Sequence, residues 1–88
     1  MAQAALEISY SDEALRTLRR SNKRKLIGQK IEELAANPDM MRANVTRLQG
    51  RSDSRLRVQD WRVIFRIEHG TLWIDKVLPR GTVYEADT

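Results

Sequence analysis

The side chains in this sequence best equipped for chemistry are arginines, concentrated in its middle. RLRVQDWRVIFR (55–66) threads Arg55, Arg57, Arg62 and Arg66 through Leu56, Val58, Trp61, Val63, Ile64 and Phe65. The β-branched and aromatic content points to sheet. A guanidinium group does not enter a core unpaired, because stripping its water costs several kcal/mol. Residues 42–66 hold seven basic side chains, all arginine (42, 47, 51, 55, 57, 62 and 66), against Asp53 and Asp60. Arginine offers a planar fork of donors that matches phosphate bidentately. A phosphate-facing surface is therefore expected, with an ordinary solvated basic face as the alternative. The tail VLPRGTVYE (77–85) adds Arg80, held at a turn between Pro79 and Gly81, and Tyr84, whose ordinary reading is a packing residue.

Other chemistries find little support. The chain has no cysteine and one histidine, His69, so thiolate and His-rich metal sites are excluded. Asp53, Asp60, Glu68 and Asp75 are scattered without ligand spacing. The four glycines (28, 50, 70 and 81) form no phosphate-cradling loop. Neither a metal nor a cofactor is expected. No apolar run approaches the roughly 20 residues of a membrane span. MAQAALEISY has no basic region ahead of its apolar residues, so it does not read as a signal peptide. A cytoplasmic, soluble chain is expected.

The formal charge of +4 is unevenly placed. Residues 1–41 carry seven basic against six acidic side chains, and residues 67–88 carry two against four, so the excess belongs to 42–66. Nothing in the chain is expected to neutralise it. RRSNKRK (19–25) is also basic; it reads as a solvated helix connection, with a secondary nucleic-acid or partner contact as the alternative.

The elements that must position these residues follow from periodicity. LEISY (6–10) alternates as a strand with one buried face. Ser11 is placed to cap a helix with Asp12 and Glu13 in its first turn and Leu15 and Leu18 as its apolar edge. After a break at Ser21–Asn22, Ile27, Ile31, Leu34 and Ala35 mark a second helix, stopped by Asn37–Pro38. Val45–Leu48 admits a short strand, and 50–54 reads as a turn or loop. Strands over 54–59, 61–68 and 71–78 follow, with His69–Gly70 as a hairpin turn. TLWIDKVL is apolar on both faces, as an interior strand would be.

The expected architecture is a single domain over 1–88 of the α+β class. It comprises an N-terminal strand, a helical hairpin and a three- to four-stranded antiparallel meander, with both helices on one sheet face. Trp61, Val63, Phe65 and Ile67 should pack on the helices. The arginine face should point to the uncovered side.

NVTRLQGRSDSRLRVQDWRVIFRI followed by GTLWIDKVLPRGTVYE resembles the RelE/ParE superfamily of bacterial toxin–antitoxin toxins. Members resemble LRxGDYRVIYxI, then a turn, a strand and V…HRxxVY; this chain reads LRVQDWRVIFRI (56–67) and VLPRGTVY (77–84). The similarity extends over essentially the whole chain, including the order of elements. It implies either a ribosome-dependent mRNA endonuclease, as in RelE-like members, or a DNA gyrase inhibitor without nuclease activity, as in ParE-like ones. A degenerate toxin that only binds its antitoxin is a third possibility.

By the resemblance, Arg62, Arg80 and Tyr84 match catalytic positions of the RelE-like class, and Arg55 takes the place of one of two lysines. The other lysine position falls near Asp53, and Pro79 replaces a histidine. Arg47, Arg51, Arg57 and Arg66 would bind RNA. The implied partners are message on the ribosome and a cognate antitoxin in a hetero-oligomer, with no membrane. Cleavage would use the ribose 2′-OH on the adjacent phosphate without a metal. Arginine, with a pKa above roughly 12, would stabilise charge and not act as base. Tyr84 would transfer the proton or stack on a base.

Overall fold

The computed structural model describes residues 5–38, 45–47 and 53–79. Its elements are β1 (Glu7–Tyr10), α1 (Asp12–Arg20), α2 (Arg24–Ala36), β2 (Val45–Arg47), β3 (Ser54–Val58), β4 (Trp61–Glu68) and β5 (Thr71–Pro79). They form one five-stranded sheet in the order β1-β5-β4-β3-β2. The expected meander is present as β2 to β5, all antiparallel. β1 runs parallel to β5, pairing Ile8 with Leu72 and Tyr10 with Ile74. The two helices thus carry the chain from one edge of the sheet to the other, and the meander brings it back beside β1.

One core lies between helices and sheet. α2 contributes Ile27, Ile31, Leu34 and Ala35, at the spacing the sequence shows. Leu56, Val58, Val63, Phe65, Leu72, Ile74 and Val77 oppose them from β3, β4 and β5, with Trp61 half-buried at the margin. Burying each such side chain stabilises the fold by about 1.5–3 kcal/mol. Ile67, expected in this face, is left exposed near the hairpin end, the one large apolar side chain so placed among the described residues.

Two details depart from simple alternation. Asp75 is an extra residue in β5: Ile64 pairs with Lys76 while Phe65 pairs with Ile74. This bulge puts Ile74 and Val77, three apart, into the same core and turns Lys76 outward. Without it, Lys76 would enter the core. The second concerns α1, whose fully buried side chain is Ala14, with Leu15 and Leu18 only half-buried. Ser11 explains the rotation. Its Oγ accepts from the Ala14 amide at 3.0 Å and donates to the Asp75 carbonyl at 2.8 Å, while its own amide donates to the Ile74 carbonyl at 2.9 Å. The first turn is thereby held against the bulge, where a methyl group fits.

His69 and Gly70 have φ of 51° and 77°, the positive pair of a two-residue type I′ hairpin. At the other hairpin, between Val58 and Trp61, Gln59 takes φ 53° without being glycine, a conformation costing roughly 1–2 kcal/mol.

Candidate nucleic-acid interface

The sheet face turned away from the helices carries Arg55 and Arg57 from β3, Arg62, Ile64 and Arg66 from β4, and Trp73, Lys76 and Leu78 from β5. Register arranges them in rows. Arg57 lies directly opposite Arg62, which is opposite Leu78; Arg55 lies opposite Ile64, which is opposite Lys76; Arg66 lies opposite Trp73. The face assignment read from alternation is therefore met on β3 and β4. Uniform exposure of its arginines is not.

Arg62 is only 5% exposed. Its Nη1 donates to the Gln59 carbonyl at 2.8 Å and to the Trp61 carbonyl at 2.9 Å. The guanidinium folds back on the hairpin at its own end of β4 and holds the carbonyl of the residue with positive φ. Ile64 is also 5% exposed, with Leu78 packed against it. The middle of this face is closed and partly apolar, not an open cationic plane.

Arg66 is held in three ways. Its Nε donates to Asp75 Oδ2 at 3.2 Å, its Nη1 pairs with the Glu68 carboxylate, and its guanidinium carbon lies 5.1 Å from the Trp73 ring centroid. The expectation that nothing in the chain neutralises the arginine face is thus corrected. Asp75 and Glu68 do so, and Asp75 reaches Arg66 because the bulge sets it out of alternation. Arg55 is half-buried and also engaged. Arg57 is exposed, beside the charge of Arg62. Like charges directly opposite across a strand pair are unfavourable until an anion lies between them. Among the described residues, the Arg57–Arg62 pair is the place on this face where two cationic side chains lie directly opposite each other, and only one of them, Arg57, is exposed.

Lys76 is a candidate the alternating pattern missed. It is exposed, on the same face, and only the bulge places it there. Of the remaining sequence candidates, Arg47 ends β2, with its backbone opposite Ser54. Arg51, Arg80 and Tyr84 lie outside the described residues.

Titration on the helical side has a different origin. Burial first, and the nearby Glu32 carboxylate second, raise the pKa of Tyr10 above its ordinary 10.0. Tyr10 packs against the core, so it is not the proton-transfer group of the arginine face. Among the described residues, no three His, Asp or Glu side chains are grouped to hold a metal ion, and no helix is long and apolar enough to cross a membrane.

The comparisons agree with this architecture. The family model described as ParE toxin of type II toxin–antitoxin system, parDE, matches residues 8–84. Among solved structures, the archaeal RelE–RelB complex from Pyrococcus horikoshii OT3 superposes with a TM-score of 0.75 at 21% identity, covering 90% of this chain and 99% of that one. The isolated E. coli RelE toxin gives 0.71 at 20% identity, covering 93% and 94%. The intact E. coli RelBE toxin–antitoxin complex gives 0.70 at 18% identity, covering 85% and 96%. No curated protein matches the sequence. At these identities the solved structures establish the α+β fold, with two helices against a five-stranded mixed sheet.

Proposed function

The chain belongs to the family of ParE toxins of type II toxin–antitoxin systems, and from that premise we propose that it is an endoribonuclease that cuts message on the ribosome. The Arg57–Arg62 pair carries this reading: exposed Arg57 lies in register with Arg62, whose buried guanidinium is turned back on the Gln59 hairpin, on the sheet side without helices. An RNA phosphate is the natural counter-ion, because its charge relieves a repulsion built into the register.

In this scheme the ribose 2′-OH attacks the neighbouring phosphate, and the 5′-oxygen leaves with a proton. Arg57 binds the phosphate, and Arg80 and Arg55 stabilise the charge that develops on it. Arg62, with Nη1 committed to two carbonyls, fixes the hairpin that presents Arg57 and adds its own charge from below. Tyr84 exchanges the proton. Arg47, Arg51 and Arg66 steer the strand, Arg66 only after release from Asp75 and Glu68. Guanidinium groups supply the positive charge, so the reaction is proposed to proceed without a divalent ion. The protein works in the cytoplasm, where ribosomes are. It is silenced by a cognate antitoxin in a hetero-oligomer, as the RelE–RelB complexes among its structural relatives suggest.

A second reading, inhibition of DNA gyrase without cleavage, draws support from the ParE description of the matched family. A translation assay with mapped message 3′ ends, run beside a gyrase supercoiling assay, separates the two. New 3′ ends at ribosome-bound codons are expected. Blocked supercoiling with intact message would replace the first reading by the second.

A further inference from the structure

The highest local charge in the molecule is not on the sheet. Residues 14–31 contain seven basic side chains (Arg16, Arg19, Arg20, Lys23, Arg24, Lys25 and Lys30) and no acidic one. Six of these fall within 16–25, across the end of α1, the Ser21–Lys23 break and the start of α2, and all six are exposed. Among the described residues none of the six makes a side-chain hydrogen bond or ion pair, in contrast to Lys30, which reaches Glu33 at 3.4 Å.

Local forces oppose part of this arrangement, although Arg19 and Arg20 sit favourably in the last turn of α1. Arg16 and Arg20 are four residues apart on one helix, a like-charge spacing that destabilises. α2 begins with Lys23 at its cap position, makes no side-chain cap hydrogen bond and has no acidic residue in its first turn. Arg24 and Lys25 occupy the end of the helix where the macrodipole is positive and cations are unfavourable. Asp12, Leu15, Arg16, Arg19 and Arg20 line an open groove of about 390 Å³ along α1. Leu15, half-buried, gives that groove an apolar floor.

We propose that this ridge, on the helical layer across the core from the arginine face, binds the sugar–phosphate backbone of double-helical RNA. Phosphate charge offsets the repulsion among the six cations and complements the positive end of the α2 macrodipole. The choice of RNA over DNA rests on the ribosomal reading above, since the surface of a ribosome is folded RNA. A run of unpaired cations offers no base-edge selectivity, so recognition is of backbone and groove shape. The two cationic surfaces then divide the work: the ridge anchors the protein, and the sheet face meets the message.

The test uses the full chain and a hairpin RNA duplex of about 16 base pairs, the span a duplex reader covers, beside a DNA duplex of equal length. Binding is measured as a function of salt for wild type, for the variant with Arg16, Arg19, Arg20, Lys23, Arg24 and Lys25 all changed to Gln, and for the milder pair Arg20→Gln with Arg24→Gln. Each lost phosphate contact flattens the log–log salt slope by about 0.7–0.9. The sextuple change should flatten it by about 4–5 and weaken binding at low salt by at least about 100-fold; the pair should flatten it by about 1–2. Thermal midpoints of both variants should equal or exceed that of wild type, because repulsion is relieved. Unchanged slopes overturn the proposal, as does tighter binding to the DNA duplex. A polyglutamate peptide that outcompetes the RNA duplex overturns it in favour of an acidic protein partner. Message cleavage is read separately: its absence with ridge binding intact ends the endonuclease reading alone.

Discussion

The arginine face of the sheet and the basic ridge of the helical hairpin are both rich in cations, and the structure treats them in opposite ways. On the sheet, Arg62 is buried against two carbonyls, and Arg66 is held between Asp75, Glu68 and Trp73. On the ridge, six exposed cations have no side-chain partner among the described residues. Charge density along the chain therefore does not measure how much charge is presented. The sheet holds its arginines in place, as a site that must position a phosphate would require. The ridge leaves long side chains free, which suits a surface that only has to attract one.

The sharpest way to break this comparison is Arg62→Ala. Removing a buried guanidinium that bonds two carbonyls should cost about 2–4 kcal/mol. The thermal midpoint should fall by about 10 °C or more for a domain of this size. An unfolding midpoint within a degree or two of wild type would show that Arg62 is not the clamp of the Gln59 hairpin. Arg57→Ala is its complement. Stability should stay within about 0.5 kcal/mol, while message cleavage falls about 100-fold, the typical loss when one preorganised charge contact is removed. Arg57→Lys should recover only part of that activity, since an ammonium lacks the bidentate fork.

Asp75→Asn sharpens the contrast more gently. The Arg66–Asp75 pair is partly exposed, so unfolding should ease by less than about 1 kcal/mol. Arg66 is loosened, and association with RNA should quicken at low salt; an unchanged rate would mean Arg66 does not face the strand. The smallest effect concerns the helical side. Folding raises the Tyr10 pKa above its ordinary 10.0, so its contribution is complete below that value and is lost as pH rises through the elevated one. Stability curves above pH 10 should therefore fall less steeply for Tyr10→Phe than for wild type.

Much of this was legible in the chain. Ile27, Ile31, Leu34 and Ala35 announced α2 and its buried face, and His69–Gly70 announced the hairpin turn, because helical spacing and positive φ leave marks in residue type. β5 did not announce its bulge. TLWIDKVL is apolar on both faces, so a slip of one residue at Asp75 leaves no break in the pattern, and the positions of Lys76 and Asp75 were hidden with it. The burial of Arg62 was equally silent, since an arginine in an alternating strand reads the same whether it reaches solvent or folds back on its own hairpin. The ridge was obscured for another reason. Glu7, Asp12, Glu13, Glu32, Glu33 and Asp39 flank it in the sequence, and a charge count over residues 1–41 averages them against the six clustered cations. Parallel pairing of β1 with β5 depends on where the helical hairpin delivers the chain, and no local signal records that.

The central claim is that the sheet face acts on RNA, and one measurement addresses it most directly. Wild type and Arg57→Ala are added to programmed ribosomes in a purified translation reaction, and the message 3′ ends are mapped. Wild type should create new ends at ribosome-bound codons, and Arg57→Ala, folded to the same midpoint, should create them about 100-fold more slowly. Intact message with wild type, or equal cutting by both proteins, would contradict the account.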